Sequence, residues 1–132
     1  LESRLHYELA NVLLHQRSED FEEAIWHQSL PDEFTYEPDR EFPGWRWEDF
    51  DLREEKWLSQ GLLNFAGVWG LEYDFSEIAE GIMTGSLDFY SHVKKHPALN
   101  RKARLVAAFY RRLGISLPLW EKEMEGKAGP KP

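Results

Sequence analysis

Two histidines, His92 and His96, have the residue type and spacing closest to a metal site in this sequence. On a helix, side chains four positions apart share one face, so both imidazoles would point to the same side. A stable metal site needs three or four ligands, however, and no HExxH or repeated ExxH motif supplies the others. We therefore predict no metal and no cofactor, and keep a helical-bundle enzyme or metal or cofactor binder using His92 and His96 as the second alternative.

Acid–base chemistry has one further candidate group, formed by Glu22, Glu23 and His27. A glutamate and a histidine four positions apart, such as Glu23 and His27, are common on a solvated helix face. The sequence contains no GxSxG motif, no defensible Ser–His–Asp pattern and no glycine-rich phosphate loop between a strand and a helix. The prediction is that the protein is not an enzyme.

The chain has no cysteine, which excludes disulfides, zinc–thiolate sites, iron–sulfur ligation and thiol catalysis. This composition suits a reducing compartment, so we expect a cytoplasmic protein. The longest uncharged run, 57–71, has about 15 residues where a bilayer span needs about 20, so no membrane span is predicted. The chain begins at Leu1 rather than methionine, which leaves removal of an N-terminal segment open.

Charge is distributed unevenly around the formal net charge of −8. Segment 19–55 has fourteen Asp or Glu against three Arg, a local net charge of −11, whereas segment 90–120 has seven Lys or Arg and no acid. Nucleic-acid binding depends on neutralising phosphates, so the overall negative charge argues against it. Pairing of the two segments within the chain, or across a homodimer, remains open.

The acidic segment also contains many aromatic residues. Acids accelerate encounter with a basic surface, and buried aromatic side chains supply much of the binding energy of an interface. We therefore expect a small acidic protein-binding domain, an inhibitor or an immunity or antitoxin type of protein, that neutralises a basic, nucleic-acid-handling partner. The predicted contact residues are Glu22, Glu23, Asp32, Glu33, Tyr36, Asp39, Glu41, Trp45 and Trp47.

The basic segment gives the first alternative, a helical interaction module that docks through helix 98–113 on an acidic protein or on RNA. In that helix an apolar seam spaced 4, 3, 4 and 3 would face a partner helix, and Gly114 follows as a stop. The seam residues are Leu99, Ala103, Val106, Tyr110 and Leu113. The alternative binding face would consist of Arg101, Lys102, Arg104, Leu105, Phe109 and Arg112.

The apolar periodicity predicts an all-α fold with a single domain over 1–126 and a disordered tail at 127–132. Leu5, Leu9, Val12 and Leu13 recur at helical spacing and predict an amphipathic first helix over 2–17. We expect six to seven helices in total. Asp74 or Ser76 is the expected N-cap of a short helix that ends at Gly85.

The uncharged stretch 57–69, WLSQGLLNFAGVW, has apolar residues on more than one helical face. A helix of this kind belongs inside a protein, so the sequence predicts a central apolar helix over about 50–70. Segment 30–47 contains three prolines among acids and aromatics and predicts a long loop wrapped outside. Two interpretations of this loop stay open, a segment packed by its aromatic side chains and a recognition loop.

Overall fold

The computed structural model of the chain describes residues 2–126, with side chains from Arg4 onward. Within this range it contains helices and no strand, which confirms the predicted all-α fold. The α-helices are α1 (Glu2–Gln16), α2 (Glu23–Ser29), α3 (Glu55–Leu58), α4 (Leu71–Thr84), α5 (Phe89–Lys95), α6 (Pro97–Arg112) and α7 (Pro118–Met124). Short 3-10 helices occur at Ser18–Asp20, Trp47–Asp51 and Phe65–Trp69. The predicted tail at 127–132 lies outside the described residues.

Helix α4 is the element around which the others pack. Its residues from Asp74 to Ala79 are buried, and it contacts α1, α5, α6, α7 and the 3-10 helix Phe65–Trp69. Gly81 permits the close approach of α5, because a Cβ at this position would overlap the ring of Phe89. The helix ends at Gly85, which has the left-handed backbone conformation that favours glycine.

The predicted continuous helix over 50–70 is wrong, although the apolar residues of 57–68 are buried as expected. Helix α3 ends in a Schellman motif, in which the Leu62 amide donates to the Trp57 carbonyl and the Gly61 amide to the Leu58 carbonyl. Gly61 has a φ of +84°, and a Cβ there would lie 3.1 Å from the Cβ of Ala98. The side chain of Asn64 then accepts a hydrogen bond that begins the next 3-10 helix. The chain therefore reverses at Gly61 instead of continuing as a helix.

Helix α1 has nearly the predicted bounds, but the predicted apolar face is wrong. Leu5 is 65 % exposed, and Leu9 and Val12 are also exposed. Tyr7 and Ala10, together with Leu14, form the buried side of the helix instead. Helix α1 packs against α4, and Ala10 lies in the same core cluster as Phe75 and Ile78 of that helix.

Helix α6 matches its prediction closely, since it runs from Pro97 to Arg112. Leu99, Ala103, Val106 and Tyr110 of the predicted seam are buried, and the helix packs against α2, α4 and α5. Among residues 2–126, no helix is both long and apolar enough to cross a membrane.

Candidate functional site

A buried ion pair between α4 and α6 lies beneath the long loop. The Nζ of Lys102 is 2.6 Å from Oδ2 of Asp74, and both side chains are sealed, at 0 % and 1 % exposure. The same amine donates to the Gly61 carbonyl at 2.6 Å. Burial raises the pKa of the Asp74 carboxyl and lowers the pKa of the Lys102 amine, and the attraction between the two groups opposes both shifts. This pair therefore ties α6 to α4 and to the turn at Gly61.

Tyr36, one of the predicted contact residues, extends the buried polar network into the loop. Its hydroxyl donates to Oδ2 of Asp74 at 2.6 Å and accepts from Nε1 of Trp26 at 2.8 Å. Burial raises the pKa of the Tyr36 hydroxyl, and neighbouring Asp74 raises it further. Tyr36 thus fastens the loop to the core. The prediction that Asp74 or Ser76 caps a helix is wrong, because α4 begins at Leu71 and both residues are buried within it.

The middle of the loop is held against the rest of the protein, and four of its acids remain in solvent. The Glu37 amide donates to the Val68 carbonyl at 2.7 Å, and Nε1 of Trp69 donates to the Arg40 carbonyl at 2.9 Å. Phe42 packs edge-on against Phe65 with ring centroids 5.0 Å apart. The acids Asp32, Glu33, Asp39 and Glu41 are exposed and have no ion-pair partner within residues 2–126.

The other predicted acids have partners within the chain. Oε1 of Glu22 lies 3.0 Å from a guanidinium nitrogen of Arg112, and Glu23 lies 3.8 Å from His27. Inside the loop, Glu37 pairs with Arg40 at 3.1 Å. The negative segment is therefore neutralised in part around α2, whereas the four loop acids remain unneutralised.

Trp45 and Trp47 end the loop as an exposed aromatic pair. Their side chains are 38 % and 66 % exposed, and their ring centroids are 5.1 Å apart in an edge-to-face arrangement. They border a groove of about 380 Å³ between the loop, α1 and the start of α4. Tyr73, also exposed, stands on the α4 side of this groove. Acids and accessible aromatic rings therefore occur on one continuous loop.

The alternative basic face on α6 is not available as predicted. Lys102 and Phe109 are both buried, Lys102 in the ion pair and Phe109 in the core. Arg112 pairs with Glu22 and donates to the Asp20 carbonyl at 2.9 Å. Of the remaining residues, Arg101 and Arg104 are exposed and Leu105 packs partly against the core. Within residues 2–126, two cations of the predicted face are thus exposed without an acidic partner, and both have local hydrogen bonds: Arg101 donates to the Ser29 carbonyl at 3.5 Å and Arg104 to Oδ1 of Asn100 at 2.7 Å. Helical periodicity alone does not distinguish a core-facing lysine such as Lys102 from a solvent-facing one.

The histidines His92 and His96 lie close together with ring centroids 6.5 Å apart. His96 is buried at the start of α6, and its Nε2 lies 3.6 Å from Oε2 of Glu55. Burial and the neighbouring Arg53 lower the pKa of His92. In the part of the chain that the structure describes, no group of three His, Cys, Asp or Glu side chains is arranged to hold a metal ion.

The structure adds residues that the sequence did not single out, above all Arg4 and Tyr7, which line the groove, and Glu77, which lines an adjoining hollow. The pKa of Glu77 is about 7, compared with an ordinary value of 4.5. Burial is the main cause of the increase, and a hydrogen bond with Asn64 and the positive charge of Arg53 oppose it. No local pattern marks these positions, because they come from α1 and α4 and meet the loop only in the folded chain.

The fold and this surface define the chain as an all-helical domain with an acidic, aromatic loop pinned to its core. No protein-family model matches the chain, and searches of characterised proteins and of solved structures find no significant similarity.

Proposed function

We propose that this protein binds a basic protein partner through the acidic, aromatic surface of segment 30–51. The proposal rests on one observation: the same anchored loop contains four exposed acids that have no ion-pair partner within residues 2–126 and two exposed tryptophans. Unpaired acids attract a basic surface over a long range, and tryptophans are frequent centres of binding energy.

The anchoring of the loop favours binding. A loop already held by Tyr36, by the Glu37 amide and by the Trp69 indole loses less conformational entropy when a partner docks than a free loop would. The contact surface comprises Asp32, Glu33, Asp39, Glu41, Trp45 and Trp47, with Tyr36 as the residue that positions the loop. More specifically, we propose that the protein is an inhibitor of immunity or antitoxin type that masks the nucleic-acid-binding surface of its target.

The test compares variants that reverse charge on two surfaces. One variant combines Glu33→Lys, Asp39→Lys and Glu41→Lys, a second replaces the same acids by Gln, Asn and Gln, and a third combines Arg101→Glu and Arg104→Glu on α6. Each is used to capture proteins from the lysate of the source organism at low salt and at about 0.5 M salt. The bound proteins are identified by mass spectrometry.

A basic protein retained by the wild type should be lost with the lysine variant, weakened by the neutral variant and kept by the α6 variant. High salt should weaken capture, because screening reduces attraction between exposed charges. Capture that is unaffected by the loop variants, or that is lost only in the α6 variant, would contradict the proposal and favour docking through the basic helix. To test whether the protein is an inhibitor, nucleic-acid binding by the captured partner is measured with and without this protein.

A further inference from the structure

The groove beside Trp47 already holds a cation that belongs to the chain itself. The guanidinium carbon of Arg4 lies 5.0 Å from the ring centroid of Tyr7 and 5.9 Å from that of Trp47. A nitrogen of the same group lies 3.5 Å from a carboxylate oxygen of Glu8. Two aromatic rings and one carboxylate are the surroundings that stabilise a guanidinium group through cation–π attraction and charge pairing.

The groove has more negative charge than Arg4 neutralises. Glu72 lines it opposite Glu8 and has no ion-pair partner within residues 2–126. An adjoining hollow of about 210 Å³ shares Arg4 and Trp47 with the groove and is lined by the acids Asp51 and Glu77 and by a second cation, Arg53. The Trp47 ring is 66 % exposed, so a cation arriving from solvent can reach it. The aromatic faces of the groove and the unpaired Glu72 are therefore available to a cationic group that takes the place of Arg4.

We infer that this groove is the subsite for an arginine side chain of the basic partner, and that Arg4 occupies it in the unbound protein. This inference rests on the proposed function, since it assigns the partner's chemistry at one point of the same surface. Arginine fits better than lysine because its planar guanidinium stacks on aromatic rings and binds carboxylates through two nitrogens. An incoming arginine displaces the Arg4 side chain, which is itself about half exposed and whose carboxylate partner, Glu8, is exposed.

The test measures binding of L-argininamide to the whole chain by NMR, through the indole N–H signals of the six tryptophans. The Trp47 signal is assigned by its absence in Trp47→Phe. Citrullinamide, which has the same shape without the charge, is the control ligand. Arg4→Ala is compared with Arg104→Ala, which removes the same charge from an exposed position on α6 outside the groove.

We expect argininamide to shift the Trp47 signal with millimolar affinity and citrullinamide to leave it unchanged. Arg4→Ala should tighten argininamide binding about three- to tenfold, the gain expected when one competing cation–π and charge contact is removed. Arg104→Ala should bind argininamide as the wild type does.

Three results would overturn the inference. The first is that argininamide does not shift the Trp47 signal in either the wild type or Arg4→Ala. The second is that citrullinamide shifts the signal as much as argininamide does. The third is that Arg104→Ala tightens argininamide binding as much as Arg4→Ala does. None of them affects the proposed function, which depends on whether reversing the loop acids releases the partner. The converse outcome is that argininamide binds as expected while the reversals of the loop acids leave partner capture unchanged. This combination of results would support the arginine subsite and contradict the loop as the docking surface.

Discussion

Among residues 4–126, four cations lie against tryptophan rings, and two of them, Lys102 and Arg4, have opposite surroundings. The Nζ of Lys102 is 5.1 Å from the ring centroid of Trp26, and it is sealed from solvent by Asp74 and the Gly61 carbonyl. Arg4 lies against Trp47 in an open groove and has one exposed carboxylate partner. Water is excluded from the Lys102 site, whereas at the Arg4 site water competes for the charged groups. The same kind of contact therefore stabilises the fold in one place and leaves a surface available for binding in the other.

Removing the buried cation should give the largest effect. Lys102→Met leaves the Asp74 carboxylate buried without a counter-charge, so we expect a loss of about 3 to 5 kcal/mol in the free energy of unfolding. Denaturant unfolding measures it. The double variant with Asp74→Asn has no uncompensated charge and keeps an acceptor for Tyr36, so it should recover more than half of the loss. A loss below about 1 kcal/mol in the single variant would show that the two sites do not differ as described.

Glu77 should give an intermediate effect that depends on pH. Its pKa is about 7 in the folded protein, raised by burial from 4.5. Between those two values the folded state binds more protons than the unfolded state, so the contribution of Glu77 to stability falls as the pH rises through this window. Glu77→Gln should therefore stabilise the protein by about 2 to 3 kcal/mol at about pH 8 and have little effect at about pH 4.

Denaturant midpoints at the two pH values measure this difference, and Glu72→Gln is the matched control. Glu72 is on the same helix, α4, but is exposed, so its replacement should change stability equally little at both pH values. A pH-independent effect of Glu77→Gln would mean that water reaches Glu77 in the folded protein.

The smallest effect on stability should come from Arg4→Ala. The Arg4 side chain and its carboxylate partner Glu8 are both exposed, so we expect a change within about 0.5 kcal/mol in the free energy of unfolding. Thermal or denaturant unfolding beside the Lys102→Met variant measures the contrast directly. A loss approaching that of Lys102→Met would identify Arg4 as a structural residue and remove its role as a displaceable occupant of the groove.

Features that local chemistry controls were predictable from the sequence. The α6 seam, its end near Gly114 and the loop at 30–47 follow from periodicity, glycine and proline, and the structure contains them close to the predicted positions. The buried character of 57–69 was also predictable, because an uncharged apolar stretch has no other favourable environment. Its break was readable in principle, since Gly61 is the residue that a Schellman motif requires.

The distribution of residues between core and surface was decided by the tertiary structure. Leu5 and Leu9 have the spacing of a buried stripe, yet they are exposed, and the side of α1 that contains Ala10 packs in the core with α4. Lys102 belongs to a basic helix by sequence, but it is buried since Asp74 meets it from another helix.

The sequence by itself determined that this chain is helical, that its charge is divided between two segments and that an acidic aromatic loop is the most suggestive surface. Only the tertiary structure decided which charges are neutralised within the chain and which rings face solvent. The physical reason is that helical periodicity fixes which residues share a face of a helix. Which of those faces is buried depends on contacts between elements that are distant in sequence. Arg4 and Trp47, which meet in the groove, are brought together only by folding.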